Sequence, residues 1–223
     1  MNEIFKNIKY IFSDFDGTIS KYDVVHKFIH NFAKGDIDTA ERLWSEGKIS
    51  TKECFNIQLK KVENLTPEIL EKFLNEIEID PYFIEFYQMI KKENKELIVL
   101  SDGFDYFIEK VFKNNGLSDI KVYSNHLEMK LEKGFLKFNT ICPNNNKNCL
   151  IPSGCCKCGV AQKYTNNFIY IGDGLSDRCI AKKASLLFAK KSLETYCKNA
   201  NLEYIPYETF KDIINALCYI KIN

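Results

Sequence analysis

Two aspartates separated by a single residue, Asp14 and Asp16, close an apolar run (Ile8, Tyr10, Ile11, Phe12), and Gly17 and Thr18 follow at once. Residues two apart in an extended backbone point to the same side, so the two carboxylates converge. Converging carboxylates repel unless something cationic shares the space. Magnesium answers that need, being a hard cation that takes oxygen ligands. Gly17 permits a sharp turn and close backbone approach to a ligand. The same arrangement recurs twice. Glu96 to Leu100 ends in Ser101-Asp102-Gly103, and Phe168 to Ile171 ends in Gly172-Asp173-Gly174. Such short apolar runs read as buried parallel strands. Open α/β sheets place ligand sites beyond the carboxyl ends of their strands. If the three runs are neighbours in one parallel sheet, their polar ends meet at one edge.

The rest of the chain must position that edge. Its 223 residues suit one α/β domain with an inserted element, or two small domains. A hydrophobic share of 45% and a charged share of 27% are ordinary for a globular protein. The formal net charge of +1 gives no electrostatic footprint for nucleic acid or an anionic membrane. The first residues lack the basic and apolar regions of a signal peptide, and no apolar stretch is long enough to span a bilayer. Nine cysteines without an export signal are expected to be reduced thiols in a cytoplasmic protein.

Val24, Val25, Phe28, Ile29 and Phe32 stand at helical spacing. Ser50 with Glu53 is a capping-box pattern. Thr66-Pro67 and Asp80-Pro81 each pair an N-cap type with proline at a first helical position. Residues 21–80 therefore read as a helical insertion, a cap, between a core made of 1–20 and 81–223. Its Trp44, His26 and Arg42 are expected to serve ordinary packing. A helix runs from Phe104 toward Gly116. Ile120 to Tyr123 reads as a short strand, and Leu127, Met129, Leu131, Leu136 and Phe138 alternate about Glu132-Lys133-Gly134 as a hairpin. A helix near Lys157 to Tyr164, a strand at Leu186 to Ala189 and a βα unit from Glu203 complete an α/β fold. Cys142, Cys149, Cys155, Cys156 and Cys158 cluster along the chain. Zinc is one reading. Their spacing lacks paired Cys-x-x-Cys units, and free thiols are the default. Cys54, Cys179, Cys197 and Cys218 sit on helical patterns and are expected to face the core.

Asp14-Phe15-Asp16-Gly17-Thr18, Ser101, Lys157 and Gly172-Asp173-Gly174-Leu175-Ser176-Asp177 resemble, in order, the four motifs of the haloacid dehalogenase superfamily of phosphatases. The resemblance spans nearly the whole chain. It implies a Rossmann-like parallel sheet flanked by helices and a magnesium-dependent phosphomonoesterase for a small phosphorylated metabolite. Asp14 would be the nucleophile that forms an aspartyl phosphate. Asp16 would be the general acid and base. Asp14, the Asp16 carbonyl and Asp173 would hold magnesium, and Asp177 would orient a metal-bound water. Ser101 with the Asp102 and Gly103 amides would grip the phosphate, Lys157 would balance its charge, and Thr18 would orient Asp16. Lys163 is a rival to Lys157.

Gly154-Cys155-Cys156-Lys157, Asn201-Leu202 and Pro206-Tyr207 resemble the branch acting on 2-hydroxy-3-keto-5-methylthiopentenyl-1-phosphate in methionine salvage. Gly172-Asp173-Gly174 is more similar to the phosphoserine phosphatase branch. That branch binds its substrate ammonium with a glutamate where this chain has Asp23. Both branches usually carry glycine where this chain has Asp102, so that carboxylate must turn from the phosphate or help select the leaving group. A phosphomutase and a non-enzymatic phosphate- or zinc-binding protein are the other readings. Oligomeric state is not fixed by the sequence.

Overall fold

The computed structural model describes residues 2–146, 149 and 153–222. The chain opens with α1 (Asn2–Asn7) and β1 (Tyr10–Ser13). Helices α2 (Val24–Phe32), α3 (Asp38–Ser45), α4 (Thr51–Leu59), α5 (Pro67–Asn75) and α6 (Phe83–Lys92) follow. Strand β2 (Glu96–Phe104) and helix α7 (Asp105–Asn114) lead into a hairpin of β3 (Lys121–Glu132) and β4 (Phe135–Ile141). After α8 (Lys157–Gln162) come β5 (Phe168–Gly172), a 3₁₀ turn (Leu175–Asp177) and α9 (Arg178–Ala181). Then β6 (Leu186–Ala189), α10 (Lys191–Asn199), β7 (Ile205–Pro206) and α11 (Phe210–Ile222) close the fold. Among the described residues no helix is long and apolar enough to cross a membrane.

The chain divides into two compact units. The first comprises Met1–Lys21, Ile79–Leu100 and Lys157–Asn223. Its strands are all parallel, in the order β2-β1-β5-β6-β7. Central β1 pairs with β2 from Tyr10↔Glu96 to Ser13↔Val99 and with β5 from Tyr10↔Phe168 to Ser13↔Ile171. The three apolar runs are therefore neighbours in one register, as their shared endings led one to expect. Every residue of β5 is buried, which is why the run shows no polar alternation. Phe12 meets Phe168 edge-on at 5.3 Å, and Phe210 packs on Phe83 and Phe86 at 5.0 and 4.9 Å. Helix α1 was not foreseen in the sequence. Its Phe5 is buried, and the buried Lys95 ammonium donates to the carbonyls of Phe5 and Ile8, satisfying the helix end.

The second unit comprises Tyr22–Glu78 and Ser101–Cys156. The helical insertion thus shares a compact unit with the hairpin, which the sequence pattern had assigned to the core. Leu136 N–H donates to the Leu65 carbonyl (2.8 Å), and Thr140 N–H donates to Asn56 Oδ1 (2.9 Å). Phe28 gathers Phe73, Phe107 and Phe138 within 5.0–5.8 Å. These contacts draw the hairpin onto the helices, and hydrophobic patterning does not reveal which of two apolar faces a strand will meet. The short strand at 120–123 and the alternating segment are one continuous strand. Lys133 and Gly134 have φ of 53° and 84°, the left-handed pair of a two-residue hairpin turn.

The capping box at Ser50 and Glu53 forms, and Thr66 caps α5 before Pro67. Asp80-Pro81 does not open its helix directly; α6 begins at Phe83. The Asp80 carboxylate instead accepts from Tyr82 N–H (2.9 Å) and from Phe210 N–H (3.2 Å), tying the turn to the start of α11.

Candidate active site

Asp14 follows the last residue of β1, and its N–H donates to the Ile171 carbonyl at 2.9 Å. That bond fixes the strand end against β5. Asp173 lies just past β5, and Asp177 ends the 3₁₀ turn that β5 feeds. One carboxylate oxygen from each of Asp14, Asp173 and Asp177 lies within 4.8 Å of the other two. All three side chains are buried. Lys157, at the start of α8, is 3% exposed and sends its ammonium into the same space. It donates to Asp14 Oδ1 and to Asp177 Oδ1 at 2.6 Å each, and to Ser176 Oγ at 3.2 Å. Lys157 rather than Lys163 therefore meets Asp14. Asp16, two residues beyond Asp14, is half-buried.

Burial holds the Asp14 carboxyl well above its ordinary range, and the carboxylates of Asp177, Asp173 and Asp16 push the same way against Lys157. Asp173 is likewise raised, by burial first and then by Asp177, with Lys191 opposing. For Lys157, burial works against the ammonium, but the charges of Asp14 and Asp177 outweigh it and keep it protonated. Three buried carboxylates thus share a small space with less positive charge than their ionised forms require. All the donors are hard oxygens. Such a set fits a divalent cation of the magnesium kind, which would lower the raised carboxyls.

Asp177 is not shaped to be a direct ligand. Its Oδ1 accepts from Lys157 and from Tyr170 O–H (2.5 Å), and its Oδ2 accepts from the N–H groups of Asp173 (3.1 Å) and Gly174 (3.0 Å). Those bonds hold the loop that carries Asp173 and fix the Lys157 ammonium. Gly172 makes room for this carboxylate: a Cβ there would fall 2.5 Å from Asp177 Oδ2. Gly17 is constrained twice. Its φ is +73°, and a Cβ would fall 2.4 Å from Asp173 Oδ2.

The remaining expected residues stand as follows. Ser101 is fully buried near the end of β2, two residues past the Val99 that pairs with Ser13, and its Oγ accepts from Gly103 N–H at 2.8 Å. That amide is thereby engaged by Ser101. Asp102 has its Oδ1 on the Cys155 N–H at 2.7 Å, while its carbonyl accepts from Asn125 Nδ2 at 2.6 Å. One of its two carboxylate oxygens is thus engaged by the loop. Thr18 is buried, and its N–H donates to the Phe15 carbonyl at 3.2 Å. Asp23 is exposed and caps α2, accepting from His26 N–H at 2.8 Å.

Among the described residues, Cys142, Cys155 and Cys156 join no group of three metal-ligating side chains. Cys142, Cys149, Cys155 and Cys156 belong to the second unit, and no three of these four bring sulphurs within 4.8 Å of one another. Cys155 Sγ donates to the Tyr123 carbonyl at 3.7 Å, and burial pushes the Cys142 thiol up to about 11. Cys158 faces Cys179, at 3.0 Å between sulphurs.

Sequence reasoning missed Lys191 and Tyr170, and it gave Tyr207 no role in the site. Lys191 opens α10, and its ammonium lies 2.9 Å from both Asp173 Oδ2 and the Gly17 carbonyl. It stands against oxygens suited to a bound cation. Its signal was faint, since a lysine two residues past a strand is common. Tyr170 lies inside an apolar strand run and reads there as core. Burial, then the Asp177 charge, keeps its phenol protonated and donating. Tyr207 O–H donates to the Gly172 carbonyl at 3.3 Å.

Comparison with known proteins agrees with this geometry. The family model described as "Putative Phosphatase" matches residues 10–193. The chain is 29% identical over 207 residues to the 2-hydroxy-3-keto-5-methylthiopentenyl-1-phosphate phosphatase of Bacillus cereus, covering 91% of this chain and 93% of that protein. It is 28% identical over 211 residues to the protein of the same name in Brevibacillus brevis, covering 93% and 94%. Among solved structures, a phospho-aspartyl intermediate analogue of phosphoserine phosphatase superposes with a TM-score of 0.69 at 21% identity, over 96% of this chain and 99% of that one. That likeness shows the haloacid dehalogenase fold. With the fold, the carboxylate cluster and the match over most of its length in agreement, the chain belongs to this phosphatase family and is a phosphoric monoester hydrolase.

Proposed function

We propose that the protein hydrolyses 2-hydroxy-3-keto-5-methylthiopentenyl-1-phosphate with magnesium, through a phosphoryl group carried on Asp14. The observation that carries the reading is the Lys157 ammonium, buried and 2.6 Å from both Asp14 and Asp177, beside Asp173. A lysine so held presents fixed positive charge where a phosphate dianion meets a carboxylate. The similarity to the named Bacillus and Brevibacillus enzymes over more than nine-tenths of the chain supports the substrate.

An Asp14 carboxylate oxygen attacks phosphorus, and the bond from phosphorus to the substrate oxygen breaks. Asp16, entering protonated, gives its proton to that leaving oxygen. Asp16, now a carboxylate, takes a proton from water as that water attacks the same phosphorus. The bond to Asp14 breaks, and inorganic phosphate leaves. Ser101, its Oγ held by the Gly103 amide, donates its O–H to a phosphate oxygen. Lys157 neutralises charge throughout, because its two carboxylate partners keep it protonated. Asp14, Asp173 and the Asp16 carbonyl would hold magnesium, which offsets repulsion between two anions and absorbs charge on the transferred group. Asp177 acts through Lys157 and the Asp173 loop.

The test is phosphate release by purified protein from this substrate, from phosphoserine and from p-nitrophenyl phosphate, with and without magnesium. The expected result is magnesium-dependent turnover with the thioether substrate preferred over phosphoserine. Asp16→Asn should lower its rate about 10²–10⁴-fold. Preference for phosphoserine would overturn the substrate assignment, and full activity in EDTA would overturn the metal.

A further inference from the structure

A second cluster of metal-ligating groups lies in the other compact unit, outside the carboxylate site. His26 and His30 are one helical turn apart on α2, and both are exposed. Spacing of i to i+4 stacks them on one face. Their ring centroids are 4.0 Å apart, with the planes tilted by 37°. The opposite face of α2 buries Val24, Val25, Phe28 and Ile29, so the helix is anchored and the imidazole pair stands on a fixed platform. Glu41, half-buried on α3, completes the group. One ligand atom from each of the three residues lies within 4.8 Å of the other two.

We propose that His26, His30 and Glu41 bind one divalent transition-metal ion, with zinc the best match, and so clamp α2 to α3. Two imidazoles and a carboxylate form a nitrogen-rich set that suits zinc, copper or nickel and not magnesium. Two ligands at zinc's bond lengths stand about 3.3 Å apart in a tetrahedron. The ligand atoms, within 4.8 Å of one another, need close only that remaining gap. Solvent supplies the fourth position, because both rings face water.

Cobalt(II) is the probe, titrated into the full-length protein with magnesium in excess to occupy the carboxylate site. The wild type should take up one equivalent with the visible bands of a nitrogen–oxygen site and no thiolate charge-transfer band. In His30→Ala that equivalent should weaken by more than the ~10–100-fold that loss of an outer partner costs a metal site. Zinc should raise the melting temperature of the wild type but not of Glu41→Gln or His30→Ala. Because both rings are exposed, the metal-free variants should melt where the metal-free wild type does, and His26→Asn repeats the test at the other ring. Unchanged cobalt binding in the histidine variants would overturn the proposal. So would uptake in the wild type with a thiolate spectrum alone.

Discussion

At the scale of single residues, Lys157 decides most. It is buried between two carboxylates, and removing one partner of a buried ion pair strands the other. Lys157→Ala should therefore destabilise the protein by about 3–5 kcal/mol as well as abolish turnover. A denaturant titration of the metal-free protein measures it, and a midpoint within error of wild type would contradict the geometry. The carboxylates were legible because aspartates at strand ends, two residues apart or flanked by glycine, make a pattern that core packing does not need. Lys157 was legible only by its order among the motifs, since nothing local distinguishes it from a solvated lysine. Lys191 and Tyr170 were not legible. Lys191 reaches Gly17 across 174 positions of sequence, and Tyr170 has the local surroundings of any aromatic residue in a buried strand.

At the scale of elements, one joint has a charge-dependent fastening. Asp105 opens α7, and its Oδ1 accepts from the N–H of Tyr106 (2.7 Å) and of Leu127 on β3 (3.1 Å). Its Oδ2 meets His126 Nδ1 at 2.6 Å. That hydrogen bond, with the Asp105 charge, raises the imidazole above its ordinary value. A raised histidine stabilises the fold fully below its unfolded value, and the contribution is lost as pH rises through the folded one. Asp105→Asn should thus cost more stability near pH ~5 than near pH ~9, and NMR titration should show His126 falling back toward its ordinary value, about 6.5. Equal destabilisation at both pH values would contradict this. The strands and most helix starts could be read from the sequence, because buried parallel runs and capping residues are local signals. The grouping of the hairpin with the inserted helices could not. It depends on long-range bonds such as Leu136 to Leu65, which periodicity does not encode.

At the scale of the whole molecule, the parallel register delivers Asp14 and Asp173 from strands far apart in sequence to one edge. The arrangement stores repulsion that a cation relieves. Asp14 and Asp173 have folded values above their unfolded ones. Without metal, their contribution favours folding below the unfolded carboxyl value of about 4 and turns unfavourable as pH rises through the folded values. Magnesium should therefore raise the melting temperature more at neutral pH than in acid. Asp173→Asn should melt higher than wild type in EDTA at neutral pH and lose its response to magnesium. Scanning fluorimetry reads both, and a wild-type magnesium shift in Asp173→Asn would remove that residue from the metal set.

The proposed reaction passes its phosphoryl group through Asp14. Acid quenching during turnover, followed by mass spectrometry of the peptides, tests it most directly. The expected result is one phosphoryl group on Asp14 in the wild type, with none trapped and no turnover in Asp14→Asn. Phosphate trapped on another residue, or turnover that survives Asp14→Asn, would contradict it.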